Sequence, residues 1–193
     1  MLFEGKQIIS MKRLLKHIIL FRIWYFLISF QIYEEQMIQM IDVNIKAATI
    51  MTKLILPILE SKQKGAVINL ASISGLSPQP LQTIYAATKA YMDFFSRGLQ
   101  TEYSSKNITI QTICPSYICT SMTSFSPSLS TPSFFVPTPE DFAANAVKTI
   151  GFSNYTTGFW THSLQNLFPM AFMPKLIFKL NERFRSQALK NKG

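Results

Sequence analysis

Glycine is scarce. Only seven occur in 193 residues, at positions 5, 65, 75, 98, 151, 158 and 193. No two fall at the spacing of a turn whose backbone N–H groups could cradle a phosphate, which argues against a complete nucleotide-cradling fold. Cysteine is nearly absent as well. Cys114 and Cys119 stand alone, with no His or Cys cluster beside them. That pattern suggests neither a zinc site nor a disulfide framework, and it suits a reducing compartment. No metal is expected. A long uninterrupted apolar run is also missing. Residues 14–33 are interrupted by Lys16, His17 and Arg22, whereas a spanning helix needs roughly 20 mostly apolar residues. The basic flank followed by an apolar stretch resembles a signal-anchor start, without a small-residue cleavage site. Membrane anchoring and packing of this segment into a core both stay open.

Acidic residues are outnumbered, ten against nineteen Lys and Arg, for a formal net charge of +9. The excess lies at the ends: residues 1–30 carry +4, residues 175–193 carry +5, and the stretch between is neutral. Basic ends flanking apolar segments fit attraction to anionic lipid head groups, so a membrane surface is an expected partner and nucleic acid is not. The length allows one domain with a substantial core, to which 48% apolar residues, 16 of them Phe, can contribute.

Apolar positions Met37, Ile38, Ile41, Ile45, Ala48, Ile55 and Ile58 recur broadly at helical spacing and predict a helix over 36–60 with Asn44 inside it. The polar turn from Ser61 ends in Gly65, where that helix should stop. Ala66–Ala71 and Ile108–Cys114 are short apolar or β-rich runs, expected as buried strands, with a helix from Ile84 to Tyr103 between them. Strands separated by a helix imply a parallel sheet with crossover connections. Residues 121–138, rich in Ser, Thr and Pro, read as a functional lid or a disordered segment; as a lid, its inner face would carry Phe125, Phe134, Phe135 and Val136. A helix should run from Pro139 to Ile150, a further strand over Tyr155–Thr161, and an amphipathic surface segment over 164–180, broken at Pro169 and Pro174. Three regions result: a divergent apolar and basic segment 1–35, a catalytic half 36–163, and an apolar then basic tail 164–193.

The chemistry sits in three residues. Tyr85 lies four positions before Lys89, so the two share a helix face. The ammonium is expected to lower the phenol from its ordinary pKa of about 10. Ser72 lies thirteen residues upstream of Tyr85, just past a strand. As hydride reaches a carbonyl carbon, negative charge grows on its oxygen. A tyrosine can deliver the proton there, and a serine can supply a second fixed hydrogen bond. Asn44 could hold a water behind Lys89 if its helix bends locally. Each feature alone is common; the ordered combination is specific.

These residues match, one by one, the catalytic tetrad of the short-chain dehydrogenase/reductase superfamily, which the chain resembles from Gln36 onward. The stretches from Asp42, Leu54, Glu60, Asp93 and Glu102, and the segment Pro115 to Met122, are similar to its 17-beta-hydroxysteroid dehydrogenase type 3 and type 12 subgroup, the latter also known as very-long-chain 3-oxoacyl-CoA reductase. The resemblance implies Asn44, Ser72, Tyr85 and Lys89 as catalytic residues. It implies Tyr85, Lys89 and Thr120 as contacts to an NADP(H) cofactor, with Thr120 at the nicotinamide amide. It also implies the endoplasmic reticulum membrane, a lipophilic ketosteroid or 3-oxoacyl-CoA substrate, and a possible homo-oligomer. The family's nucleotide-binding half, with its glycine-rich turn, has no counterpart here. The expected fold is the C-terminal part of a doubly wound, Rossmann-like parallel α/β sheet, incomplete at the N-terminus. The expected function is a keto–hydroxyl oxidoreductase, with a catalytically dead, membrane-associated remnant as the alternative.

Overall fold

The computed structural model describes residues 34–166 and 174–190. The segment 14–33, for which membrane anchoring stayed open, lies outside them, as does most of the region 1–35. Three parallel strands lie side by side in chain order: β1 Gly65–Leu70, β2 Ile108–Ile113 and β3 Tyr155–Thr156. β1 and β2 pair from Gly65 opposite Ile108 to Leu70 opposite Ile113. The ladder runs on past the strand ends, with Ala71 N–H donating to Ile113 O and Cys114 N–H to Thr156 O, each at 2.8 Å.

Alternation along the strands sends side chains to opposite faces. On one face Val67, Ile108 and Ile110 pack with Leu56, Phe95 and Leu99. Those partners come from α2 Ala48–Lys62 and α3 Thr83–Glu102. On the other face Ile68, Leu70 and Ile113 pack with Phe142 and Ala146 of α5 Pro139–Lys148. Helices therefore cover both faces, as a doubly wound sheet requires. α5 starts where Pro139 follows Thr138, whose hydroxyl accepts from Asp141 N–H at 3.1 Å as an N-cap.

Several expectations need correction. β1 is not fully buried: only Asn69 is. Among the described residues it pairs on one side only, so its outer flank keeps partial exposure. Gly65 does not cap α2. The left-handed residue is Gln63, at φ 48°, and Gly65 instead opens β1 against Leu59, whose side-chain carbons would lie 2.5–2.9 Å from an added Cβ. β3 has two residues rather than seven, because Gly158 turns the chain at φ 76° and α6 Trp160–Asn166 follows at once.

The 36–60 helix is three pieces: α1 Glu34–Ile41, a π-helical turn Asp42–Ala47, and α2. The lid 121–138 holds a 3-10 turn Ser121–Thr123 and a single helical turn, α4 Pro127–Ser130. In the tail, the expected amphipathic segment is a helix that begins at Pro174. Residues 174–190 form α7 Pro174–Lys190, which docks through Ile177, Asn181 and Phe184. That spacing puts the three on one helix face, while Lys175, Lys179 and Arg183 stay exposed. Among the described residues no helix is long and apolar enough to cross a membrane.

Candidate active site

β1 delivers the chain to Ser72, two residues beyond its C-terminal end. Ser72 is extended, at φ −166° and ψ 154°, and caps a 3-10 turn Ile73–Leu76, its Oγ accepting from Ser74 N–H at 3.1 Å. The turn lies hard against α3. A Cβ placed on Gly75 would stand 2.6 Å from both the Lys89 carbonyl carbon and the Ala90 nitrogen. Only a residue without a side chain lets the Ser72 turn come so close to the helix carrying Tyr85 and Lys89.

Across this seam the Ser72 side chain comes close enough to the Tyr85 phenol to favour its ionised form. Lys89 Nζ donates to Leu70 O at 3.0 Å and stands 5.7 Å from the centre of the Tyr85 ring. Tyr85, Lys89 and Ser72 are thus brought together, as the spacing predicts.

The electrostatics are not as expected. Burial pushes the Tyr85 phenol up to about 12, and the Ser72 side chain only partly opposes it. Burial also pushes the Lys89 ammonium down to about 8, against the pull of nearby Cys114. Desolvation disfavours the charged form of each group. In the chain as folded burial, and not the cation, sets the direction of the phenol's shift.

Asn44 lies in the π-helical turn, a feature that often marks functional positions. The expected local irregularity of the helix is therefore present. Asn44 Nδ2 donates to Thr88 Oγ1 at 3.0 Å, and that hydroxyl donates to the Tyr85 carbonyl at 2.8 Å. Asn44 thus fastens the π-helical turn to α3 between Tyr85 and Lys89. Thr120 caps the 3-10 turn that opens the lid, its Oγ1 accepting from Met122 N–H at 3.3 Å.

The walls around Tyr85 are apolar. Met40, Leu129, Val136 and Phe184 pack with it in one cluster, with Tyr117 and Phe125 against them. Phe125 and Val136 of the lid turn inward as expected. Phe134 and Phe135 do not: they are exposed and meet edge to face, with Trp160 stacked on Phe134 in the same way. Gln82, three residues before Tyr85, donates through Nε2 to Asn181 Oδ1 at 3.0 Å, and Asn181 Nδ2 donates to Pro80 O at 2.7 Å. This buried amide pair ties α7 to the entry of α3. Gly75, Thr88, Gln82 and Asn181 were not singled out in the sequence. For Gly75 the available signal was a glycine three residues after the serine; Asn181 carried none, lying 99 residues from its partner.

A family model described as short chain dehydrogenase matches residues 29–128. Among curated proteins, the inactive hydroxysteroid dehydrogenase-like protein 1 of Homo sapiens is 42% identical over 164 residues, 82% of this chain and 49% of that protein. The very-long-chain 3-oxoacyl-CoA reductase of Anas platyrhynchos is 38% identical over 158 residues, 80% and 49% of the two chains. The chain thus spans about half the length of these relatives. Among solved structures, a short-chain dehydrogenase from Sphingobium yanoikuyae in complex with NADPH superposes with a TM-score of 0.55 at 27% identity, over 62% of this chain and 46% of that one.

Proposed function

Because the chain belongs to the short-chain dehydrogenase family, we propose that it carries the catalytic half of an oxidoreductase that interconverts a ketone and an alcohol on a lipophilic substrate. The close approach of the Ser72 turn to the helix bearing Tyr85 and Lys89 carries this reading, because two O–H groups on one side of a seam can converge on a carbonyl oxygen gaining charge. Ser72 orients the oxygen, and Tyr85 gives it a proton through its hydroxyl. The apolar wall of Met40, Leu129, Val136 and Phe184 excludes water from the reacting carbonyl.

The ribose–nicotinamide end of an NADP(H) cofactor fits the donors present. An ammonium has three N–H groups, of which Leu70 O accepts one, and the others suit ribose hydroxyls. Thr120 would meet the nicotinamide amide. When bound, the reduced nicotinamide supplies the hydride. The seven glycines offer no cradle for its pyrophosphate.

A hydroxysteroid dehydrogenase-like keto reduction is the preferred substrate reading, with 3-oxoacyl-CoA reduction as its rival. Both draw support from the greasy wall and from the names of the relatives. Proximity to the endoplasmic reticulum membrane belongs to the same proposal and is supported by the basic ends. A homo-oligomer is supported by Ile50, Met51, Leu54 and Ile58, exposed along α2. A second reading, in which the chain binds lipid without turnover, draws support from the relatives named as inactive.

The test is NADPH oxidation with a 17-ketosteroid and with a 3-oxoacyl-CoA, in the wild type and in Tyr85→Phe. The enzymatic reading expects a fall of about 10²–10⁴-fold in the variant. Equal rates in both proteins, or none in either, would sink it.

A further inference from the structure

His162 is fully buried at the start of α6, between the rings of Phe142 and Phe159, whose centres lie 6.0 and 5.6 Å from its own. A buried histidine is most simply a packing residue, but this one makes a directed contact. Its Nδ1 accepts the Ser116 backbone N–H at 3.2 Å. The carbonyl of the same peptide unit, Pro115 O, points the other way and is held there by two donors: Ile73 N–H at 3.1 Å and, more weakly, Ser72 Oγ at 3.4 Å. One rigid peptide plane therefore spans from the imidazole to the turn carrying Ser72.

We propose that His162 is a positioning residue for the candidate active site: it clamps the Pro115–Ser116 peptide and through it fixes the Ser72 hydroxyl beside Tyr85. Burial holds the imidazole down to about 4, so at neutral pH the ring is uncharged and one nitrogen can accept a hydrogen bond. Backbone groups of Tyr117, Phe135 and Thr157 offset part of that push, although none makes a well-aligned bond to Nε2. The ring thus contacts the loop after β2 through Ser116 and lies near backbone groups of the lid and of the chain just past β3.

This inference rests on the carbonyl-reduction reading for its catalytic meaning, so its test separates the two. His162→Phe keeps the ring and removes the acceptor. His162→Asn sacrifices the ring but can place an amide oxygen near the Nδ1 position. Amide exchange at Ser116 and Ile73, followed by NMR in the chain itself, should quicken roughly tenfold in His162→Phe, the size of one hydrogen bond, and stay near wild type in His162→Asn. A pure packing role predicts the reverse order, since phenylalanine restores the volume. That order, or unchanged exchange in His162→Phe, overturns the proposal. Should His162→Phe fail to fold, loss of Ser116 protection in folded His162→Asn overturns it equally. With a 17-ketosteroid and NADPH, kcat should follow the exchange order at constant KM. A wild-type chain without turnover sinks the carbonyl-reduction reading, while the exchange order still decides what His162 does.

Discussion

One methyl group at Gly75 probes the closest seam of the candidate site. In Gly75→Ala the new Cβ would stand 2.6 Å from the backbone of Lys89 and Ala90, where ordinary contact begins at 3.4 Å. The obstacle is backbone, not the end of a flexible side chain, so no rotamer change relieves it. The Ser72 turn and α3 must part by about 0.8 Å, a strain typical of overpacking at about 1–3 kcal/mol. Alanine also narrows the unfolded ensemble, which stabilises by about 0.4–1 kcal/mol. The steric term is the larger, and net destabilisation is expected. The same displacement separates Ser72 from Tyr85, and a misplacement of about an ångström costs roughly 10²-fold in rate. Urea denaturation should show a lower midpoint with an unchanged slope, and NADPH oxidation with a 17-ketosteroid should fall far more than stability does. A variant within about 0.5 kcal/mol of wild type at full turnover would show that the seam has slack, and the argument about Ser72 placement would fail.

Two further outcomes follow from the same contacts. Lys89→Met should abolish turnover yet stabilise the fold near neutral pH by on the order of 2 kcal/mol. It removes an ammonium that burial lowers from 10.5 to about 8, less the effect of leaving the Leu70 carbonyl without that donor. Because the unfolded wild type holds its proton longer than the folded one between pH 8 and 10.5, wild-type stability gains with pH across that window. Urea midpoints of the two proteins should therefore converge there, and a gap independent of pH would contradict the burial argument. Asn181→Ala leaves Gln82 Nε2 and Pro80 O without the partners they have in the buried pair, which should cost about 2–3 kcal/mol. Amide exchange along α7 should quicken before global unfolding, and an unchanged melting temperature would show that the apolar face alone holds that helix.

Local pattern was enough for much of the fold. β-branched and apolar runs at Ala66–Ala71 and Ile108–Cys114 could hardly be anything but strands, and the register of side chains along Thr83–Glu102 puts Tyr85 and Lys89 on one face whatever surrounds them. The lid was legible as a region, because a Ser, Thr and Pro-rich stretch resists regular structure. Which of its aromatics turn inward was not. Phe125 and Val136 pack against the Tyr85 cluster while Phe134 and Phe135 face out, and no periodicity exists in a loop to decide that.

Sequence by itself determined that a tyrosine, a lysine and a serine would meet at the C-terminal edge of a parallel sheet, because helix and strand periods are properties of the backbone. Tertiary structure alone decided how those groups behave. The phenol is raised and the ammonium lowered because burial depends on residues remote in the chain, such as Met40 and Phe184 around Tyr85. The docking of α7 rests on a bond between Gln82 and Asn181, 99 residues apart. The need for glycine at 75 arises from a helix backbone 14 positions further along the chain. Such contacts have no local signature, since desolvation and steric contact are set by whatever the fold brings near.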